Sequence, residues 1–271
     1  MTSYRGLFVG LTTIDIQYFV DSFPPANQKV KTAPPKIFVG GPATNAAVAF
    51  SYLNNHTFLA TAGGSNAFNQ FIKDDFKEAK IQHIDLIENQ PKNAVIASVI
   101  TSENNGDRNI FTHHPDEISP SISPEILFAN VKPDVLLLDG FYPEFSLKCA
   151  QIAKQNNIPV VIDGGSWKPQ YSELIPLTDS VICSADFLPP GMDGTVSLFT
   201  FLKDAGVKNS AVSRGEKSIL YATANEGRGE VPVNSAEVVD TLGAGDFLHG
   251  AFCYYYLHSN FNFVKALEAA S

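Results

Sequence analysis

The sequence predicts an α/β protein with a central, mostly parallel sheet and helices on both of its faces. From about Pro133 onwards, short apolar runs such as 135–138 alternate with amphipathic stretches. Continuously apolar runs are typical of parallel strands that are buried on both faces. The strand–helix–strand order places helices on both faces of the sheet. The chain has 271 residues, of which 44% are hydrophobic, enough for a large core. We therefore expect residues 1–271 to form one domain.

The first half of the chain shows helical and strand periods in turn. Alanines and a phenylalanine recur at helical spacing after Gly41, where Ala46, Ala49 and Phe50 share one face. The elements predicted here are a strand at 7–11, a helix at 41–53, a strand at 57–62 and a helix at 66–79.

Three extended segments predict a second, smaller sheet. Segment 18–31 contains Pro24-Pro25 and precedes Pro34-Pro35, which suits a sheet edge. Segments 94–101 and 109–113 flank Asn104-Asn105-Gly106-Asp107, a strong hairpin turn. We expect the strands of this small sheet within 16–36 and 92–114.

Polar residues come at or just after predicted strand ends, most of them in the second half of the chain. The strands are 135–138, 158–162, 180–183 and 210–213, with helices through Phe145 and Cys149 and at 196–202. Ligands of such folds bind outside the carboxyl ends of the strands. The polar residues in this position are Asp15, Asp139, Asp163, Ser213 and Asp246.

Composition excludes several classes of function. The formal net charge is −9 and no basic cluster exists, so no nucleic-acid partner is expected. No apolar run approaches the roughly 20 residues of a membrane helix, and the N-terminus lacks the features of a signal peptide. We expect no membrane partner and a cytoplasmic location. Cys149, Cys183 and Cys253 lack metal-ligand spacing, which predicts buried free thiols.

The most informative segment is 238–246, Val-Val-Asp-Thr-Leu-Gly-Ala-Gly-Asp. Gly243 and Gly245 leave the backbone without side-chain cover where a helix begins. Free N–H groups and the positive end of the helix dipole then point in the same direction, which suits the binding of an anion. The helix is indicated by an apolar stripe of Leu248, Ala251, Phe252, Tyr255 and Tyr256.

Asp246 does not fit an anion site, because a carboxylate repels an anion. A general base that takes a proton from an attacking hydroxyl fits better. An anion hole beside a base suggests phosphoryl transfer to an alcohol. The residues alone leave other interpretations open: a helix-start Asp, a tight strand–helix turn, and a Thr241 that either lies near phosphates or caps the helix.

Segment 240–246 resembles the C-terminal signature D-T-x-G-A-G-D of the ribokinase-like (PfkB) carbohydrate kinases. Segment 40–47, Gly-Gly-Pro-Ala-Thr-Asn-Ala-Ala, resembles the N-terminal signature of the same family, a Gly-Gly pair followed by an Asn. The resemblance implies a ribokinase-like fold and transfer of phosphate from ATP to a sugar, with Mg²⁺. It also implies that the small sheet acts as a lid over the sugar and often as a homodimer surface.

The resemblance assigns roles to individual residues. Asp246 would be the catalytic base, with the backbone of Gly243, Ala244 and Gly245 as anion hole. The substrate residues would be Asp15, Gly40, Gly41, Asn45, Asp139 near the sugar or Mg²⁺, and Arg108 reaching a phosphate from the lid. Without the resemblance, Asp15 and Arg108 are ordinary turn residues and Asn45 faces solvent.

The residues expected to bind the nucleotide and Mg²⁺ follow the family pattern less closely. Ser213 and Gly215, with Thr241, match positions that contact nucleotide phosphate; a plain hairpin turn is the competing interpretation of Ser213–Lys217. Many members carry Asn-x-x-Glu after the preceding strand; this chain has Ser184-Ala185-Asp186, like ketohexokinase-like members. Asp186 would then support Mg²⁺. In some members the residue at the position of Asp240 helps to hold K⁺.

Two other functions compete with a sugar kinase. The altered Mg²⁺ segment suggests a non-catalytic sensor of a sugar or nucleotide, whereas the intact Asp246 argues against it. A nicotinamide-dependent dehydrogenase would need its glycine-rich turn in the first βαβ unit, and Gly10-Leu11-Thr12-Thr13 lacks that spacing. The motifs do not choose the acceptor, although the scarcity of basic residues near Gly41 favours an uncharged one.

Overall fold

A computed structural model describes residues 3–113, 117–233 and 241–271. Within them, a large sheet and a small sheet are present, with helices around the large one, as predicted. The strands are β1 (Arg5–Val9), β2 (Thr13–Val20), β3 (Lys36–Gly40), β4 (His56–Thr61), β5 (Ile81–Asp85), β6 (Val95–Ser102), β7 (Arg108–Phe111), β8 (Val135–Leu138), β9 (Val160–Gly164), β10 (Ser180–Ser184), β11 (Asn209–Arg214), β12 (Lys217–Thr223) and β13 (Gly227–Val231). The helices are α1 (Pro42–Tyr52), α2 (Asn69–Glu78), α3 (Pro124–Val131), α4 (Pro143–Gln155), α5 (Tyr171–Leu174), α6 (Thr195–Asp204), α7 (Ala244–His258) and α8 (Phe263–Ala270).

The large sheet has the order β13-β12-β11-β10-β9-β8-β1-β4-β5. From β11 to β5 neighbouring strands are parallel, whereas the pairs β11–β12 and β12–β13 are antiparallel. The carboxyl ends of the parallel strands therefore meet at one edge, where the polar residues at the strand ends collect.

Two hydrophobic cores lie on opposite faces of this sheet, because alternate residues of each strand point to opposite sides. On one face Phe8 and Leu137 pack with apolar residues of α1, α2, α7 and α8. On the other face Leu7 and Leu136 pack with α3, α4, α5 and α6. The predicted burial of the three free cysteines is confirmed. No helix of the described residues is long and apolar enough to cross a membrane.

The small sheet has the order β3-β2-β6-β7, with β2 and β6 parallel and the outer pairs antiparallel. Its strands differ from the predicted segments. β2 begins at Thr13, and residues 21–35, which include four prolines, contain no strand. Proline cannot donate to a ladder, so the edge strand β3 forms only after Pro35.

The sequence reasoning did not identify β5, α3 or the β12–β13 hairpin. β13 reads Gly-Arg-Gly-Glu-Val and has little intrinsic strand preference. It forms a strand because it pairs along β12, from Ile219 with Val231 to Thr223 with Gly227. Tertiary pairing, not local pattern, fixes this edge.

Helices α1 and α7 approach each other closely at Gly250. A Cβ at this position would lie 2.0 Å from the carbonyl oxygen of Ala46 and 2.8 Å from the Cβ of Ala49. Small residues on both helices therefore set the spacing, and this contact brings the two signature segments together.

We predict that Gly250→Ala destabilises the protein by about 2–3 kcal/mol, because the added methyl group overpacks a backbone contact. Equilibrium unfolding in urea measures the loss. The control is Gly165→Ala, since a Cβ at Gly165 meets nothing within 4 Å. Equal stability of the two variants would contradict the close approach of the helices.

Candidate active site

A hydrogen bond joins the two signature segments. Asn45, in the first turn of α1, donates through Nδ2 to Oδ2 of Asp246, in the first turn of α7, over 2.8 Å. The two residues are 201 positions apart in the chain. The structure therefore places the predicted sugar-binding Asn beside the predicted base.

The first turn of α7 is open towards this contact. Gly243 caps the helix with φ of 74°, in the left-handed region that favours glycine. Phe247 makes the first helical hydrogen bond, to the carbonyl of Gly243, so helix geometry gives the amides of Gly245 and Asp246 no internal partner. The amide of Ala244 instead donates to the carbonyl of Thr241 over 3.2 Å.

This geometry decides one of the open alternatives. Gly243 occupies the N-cap position, without a side-chain hydrogen bond. Thr241 as helix cap is therefore wrong, whereas its contact with phosphate stays a prediction. Among Gly243, Ala244 and Gly245, the helix start presents the Gly245 amide most directly to an anion.

The Asp246 carboxyl is half-buried among other acids. Its pKa is raised to about 7, mainly by burial and next by the nearby Asp163 carboxylate. The hydrogen bond from Asn45 and the charge of His249 act in the opposite direction. A carboxyl group with a pKa near 7 is suited to general-base chemistry at neutral pH.

Asp15 lies near this centre, although not where the sequence suggested. It was expected at the end of the first strand, but β1 ends at Val9 and Asp15 sits inside β2 of the small sheet. The chain crosses between the sheets at Gly10–Thr12. Thr13 donates through Oγ1 to Asp15 over 2.6 Å, and burial raises the pKa of the Asp15 carboxyl.

The Gly40-Gly41 pair makes room for these groups. A Cβ at Gly40 would lie 2.2 Å from Oδ2 of Asp15. Gly41 has φ of 106°, and a Cβ there would lie 2.3 Å from the carbonyl oxygen of Leu11. The carbonyl of Gly41 also accepts the amide of Asn45, over 2.9 Å. Both glycines are therefore required by close approach.

Asp139 lies beneath the centre. Its carboxylate accepts the backbone amides of Leu11, Ala43 and Phe141, over 2.8, 3.2 and 3.0 Å. The side chain is fully buried, and burial raises its pKa. Asp139 thus ties the end of β1 to the start of α1. Its predicted contact with the sugar or Mg²⁺ stays a prediction.

Ser213 and Gly215, two of the three predicted nucleotide residues, line a common cavity with Asp186. A volume of about 430 Å³ is lined by Ser184, Ala185, Asp186, Ser213, Arg214, Gly215 and Lys217. Gly215, with φ of 65°, forms the turn between β11 and β12. The segment is therefore a hairpin turn, and its contact with nucleotide phosphate stays a prediction. Ser213 donates to the carbonyl of Cys183 over 3.3 Å.

Apart from Asp139, which was expected near the sugar or Mg²⁺, the metal prediction rests on Asp186. Among the described residues, no cluster of three His, Cys, Asp or Glu could hold a metal ion. Mg²⁺ in phosphate-transferring enzymes commonly uses one or two carboxylates together with substrate phosphates. The exposed Asp186, at the mouth of the cavity, fits that limited role.

For two other predicted positions, Arg108 and Asp240, the structure adds little evidence. Arg108 begins β7, the outer strand of the small sheet, and is half-buried. Asp240, the predicted K⁺ ligand, lies outside the described residues, as do Val238 and Val239.

Sequence reasoning missed His249 and Lys168. His249 contacts Gly245 and Ile182 beneath the first turn of α7, and Asp163 lies beside it. Lys168 donates to the carbonyl of Asp139 over 3.1 Å. The only signal for His249 was a polar residue one turn after Asp246, on a helix whose other inward residues are apolar or aromatic.

Comparisons with known proteins agree with this arrangement. The profile "pfkB family carbohydrate kinase" matches residues 6–271. The chain belongs to this family. The predicted family and the predicted enzyme class, a carbohydrate kinase, are therefore confirmed.

Relatives in the family differ in the acceptor that their names state. A nucleoside kinase of Methanocaldococcus jannaschii is 26% identical over 261 residues, covering 92% of this chain and 82% of the relative. A ribokinase of Lactococcus lactis is 25% identical over 256 residues, covering 91% and 81%. The structure of a putative ribokinase from Agrobacterium tumefaciens superposes with a TM-score of 0.85 at 22% identity, covering 100% of this chain and 89% of that one. The ribokinase-like fold is thus confirmed.

The raised pKa of Asp246 predicts a pH-dependent cost in stability. The ionised carboxylate destabilises the folded state. This penalty is therefore absent below pH 3.8, the usual pKa of an Asp side chain, and complete above about pH 7. We expect Asp246→Asn to raise the free energy of unfolding at pH 8 by roughly 2–4 kcal/mol, and to have little effect at pH 4.

Thermal or urea unfolding at both pH values measures this effect. The exposed Asp193→Asn serves as control and should change stability by less than about 0.5 kcal/mol. A stability gain of Asp246→Asn that is the same at both pH values would show that Asp246 is not a strained buried acid.

Proposed function

We propose that this protein transfers the γ-phosphoryl group of ATP to a hydroxyl group of a sugar or nucleoside. The observation that carries the proposal is the 2.8 Å contact between Asn45 and Asp246 at the open N-terminus of α7. The contact brings the Asn45 amide, a carboxyl group with a pKa of about 7 and an open helix start into one location, which supports binding of an acceptor hydroxyl beside a base and an anion site.

In the proposed reaction, Asp246 removes the proton from the acceptor hydroxyl as its oxygen attacks the γ-phosphorus. The bond between that phosphorus and the β–γ bridging oxygen breaks, and ADP leaves. The proton stays on Asp246 until product release. The Gly245 amide and the helix dipole stabilise negative charge on the moving phosphoryl group.

The acceptor site is proposed to lie between Asp15 and Asn45. The Asp15 carboxylate accepts hydrogen bonds from hydroxyl groups, and the Asn45 amide both donates and accepts. Asp139 contributes by holding the backbone of Leu11 and Ala43, which flank the site. The names of the relatives support sugars and nucleosides as acceptor classes.

ATP is proposed to occupy the cavity beside Ser213 and Gly215, with Thr241 near its phosphates. A volume of about 430 Å³ is within the usual range of roughly 300–1,000 Å³ for ligand pockets. Asp186 would support Mg²⁺, which neutralises phosphate charge. Arg108 would approach the phosphates from the small sheet.

The small sheet is proposed to act as a lid and as a homodimer surface. Strand register places Asp15 and Phe38 on one face. Ile37 and Phe111 share the opposite face and are 45% and 66% exposed. One face therefore suits the acceptor, and the apolar opposite face suits a second copy of the chain.

The deciding experiment measures ATP consumption with Mg²⁺ against pentoses, ketohexoses, nucleosides and sugar phosphates. We expect turnover of an uncharged sugar or nucleoside. Asp246→Asn should lower kcat by at least about 100-fold while the acceptor KM changes little, because the amide cannot take the proton.

The control for that variant is Asp193→Asn, which should retain full turnover. Full activity of Asp246→Asn would contradict the role of Asp246. Silence of the wild-type protein over the panel, with ATP or sugar still bound in calorimetry, would favour a non-catalytic sensor.

The pH profile of kcat/KM should show an acid limb with a pKa of about 7, because only ionised Asp246 accepts the proton. Below that pH, the rate constant should fall about tenfold per unit. In Asn45→Ala the limb should move to higher pH, since the hydrogen bond from Asn45 lowers the pKa of Asp246. A limb near pH 4 in the wild type would contradict this assignment.

A further inference from the structure

A buried pair of side chains lies directly beneath the first turn of α7 and has no part in the mechanism above. His249 is 5% exposed and Asp163 is 3% exposed. Oδ2 of Asp163 lies 3.5 Å from Nδ1 of His249. That same oxygen has no hydrogen-bond partner among the described residues, although it is buried.

Both ring nitrogens of His249 face backbone carbonyl oxygens. Nδ1 lies 2.6 Å from the oxygen of Gly245, and Nε2 lies 2.9 Å from the oxygen of Ile182. Carbonyl oxygens only accept hydrogen bonds, and a neutral imidazole has a single N–H. Both contacts are hydrogen bonds only when the ring carries two protons.

A doubly protonated ring brings a positive charge into the interior, and a buried charge requires a partner. The Asp163 carboxylate supplies it. Asp163 and Ile182 are register partners on the neighbouring strands β9 and β10. The ring therefore links the first turn of α7 to two central strands at their carboxyl ends.

The anchored carbonyl belongs to Gly245, the residue between Ala244 and Asp246. The peptide unit that carries this carbonyl ends in the amide of Asp246, so the contact fixes the backbone of the proposed base and adjoins the Gly245 amide that meets the phosphoryl group. We propose that the His249–Asp163 ion pair positions the first turn of α7, and through it Gly245 and Asp246, for phosphoryl transfer. This proposal rests on the proposed function for its catalytic part only.

The pair also acts on Asp246 through charge, with opposite signs: Asp163 raises the pKa of Asp246 and His249 lowers it. Other titratable groups surround the pair from β8, β10, α5, α7 and the segment after β9. These are Asp139, Cys183, Tyr171, Cys253 and Lys168.

The first test needs no substrate. Nitrogen NMR of the ring at pH 7 should show His249 protonated at both Nδ1 and Nε2. Carbon NMR of the Asp246 carboxyl should show opposite changes in two variants. The titration midpoint should rise by about 0.5–1 pH unit in His249→Gln and fall by a similar amount in Asp163→Asn. A neutral His249, or a midpoint that moves the same way in both variants, would overturn the proposal.

The second test is kinetic and uses the acceptor found above. Both variants should lower kcat about 10- to 100-fold with the acceptor KM within about threefold, because a misplaced first turn slows transfer more than binding. The double variant should return the Asp246 midpoint close to that of the wild type while kcat stays low. Wild-type kcat in either folded single variant would overturn the positioning role.

The matched control is Leu257→Ala, two turns further along α7. Leu257 is buried and lies outside the site described above. Its loss should reduce stability while kcat and the Asp246 midpoint stay unchanged. Because the NMR readouts need no acceptor, a failure of the kinase proposal would show as silence in the activity panel, and a failure of the ion-pair proposal as a neutral ring.

Discussion

The close contact between α1 and α7 is the constraint on which the site depends. Gly250 allows the backbone of α7 to rest against the carbonyl of Ala46, with no side chain between them. At this spacing Asn45 and Asp246, each in the first turn of its helix, come within hydrogen-bond distance. Helix α7 packs on the sheet through Phe252, in the same core as Phe8 of β1. Core packing and site geometry are therefore set by the same helix pair.

Much of the fold and of the candidate site could be predicted from the sequence, because the patterns that indicate them are local. The large sheet follows from short apolar runs such as 135–138, which allow few alternatives. Gly243 and Gly245 predict an anion site because free amides at a helix start can be recognised from the local sequence alone. Asn45 and Asp246 were paired by their resemblance to two family signatures, and the structure adds that they touch.

What sequence reasoning missed depends on contacts that no local pattern records. β13 is a strand only because β12 pairs with it. Asp15 was placed after the wrong strand, because the crossing at Gly10–Thr12 leaves no mark in hydrophobic periodicity. His249 differs from an ordinary core histidine only through Ile182 and Asp163, which come from other strands. Long-range partners of this kind become visible only once the strands are ordered.

The site concentrates acids where their mutual repulsion is strongest. Asp246 has its pKa raised by burial and by Asp163, and burial also raises the pKa of Asp15 and Asp139. At neutral pH the ionised Asp246 therefore lowers the stability of the folded state. The arrangement makes sense if the base must hold a proton part of the time at neutral pH, since a carboxylate with an ordinary pKa is a weak base. The cost in stability and the suitability for proton transfer then have one physical cause, the desolvation of the Asp246 carboxylate at the open start of α7.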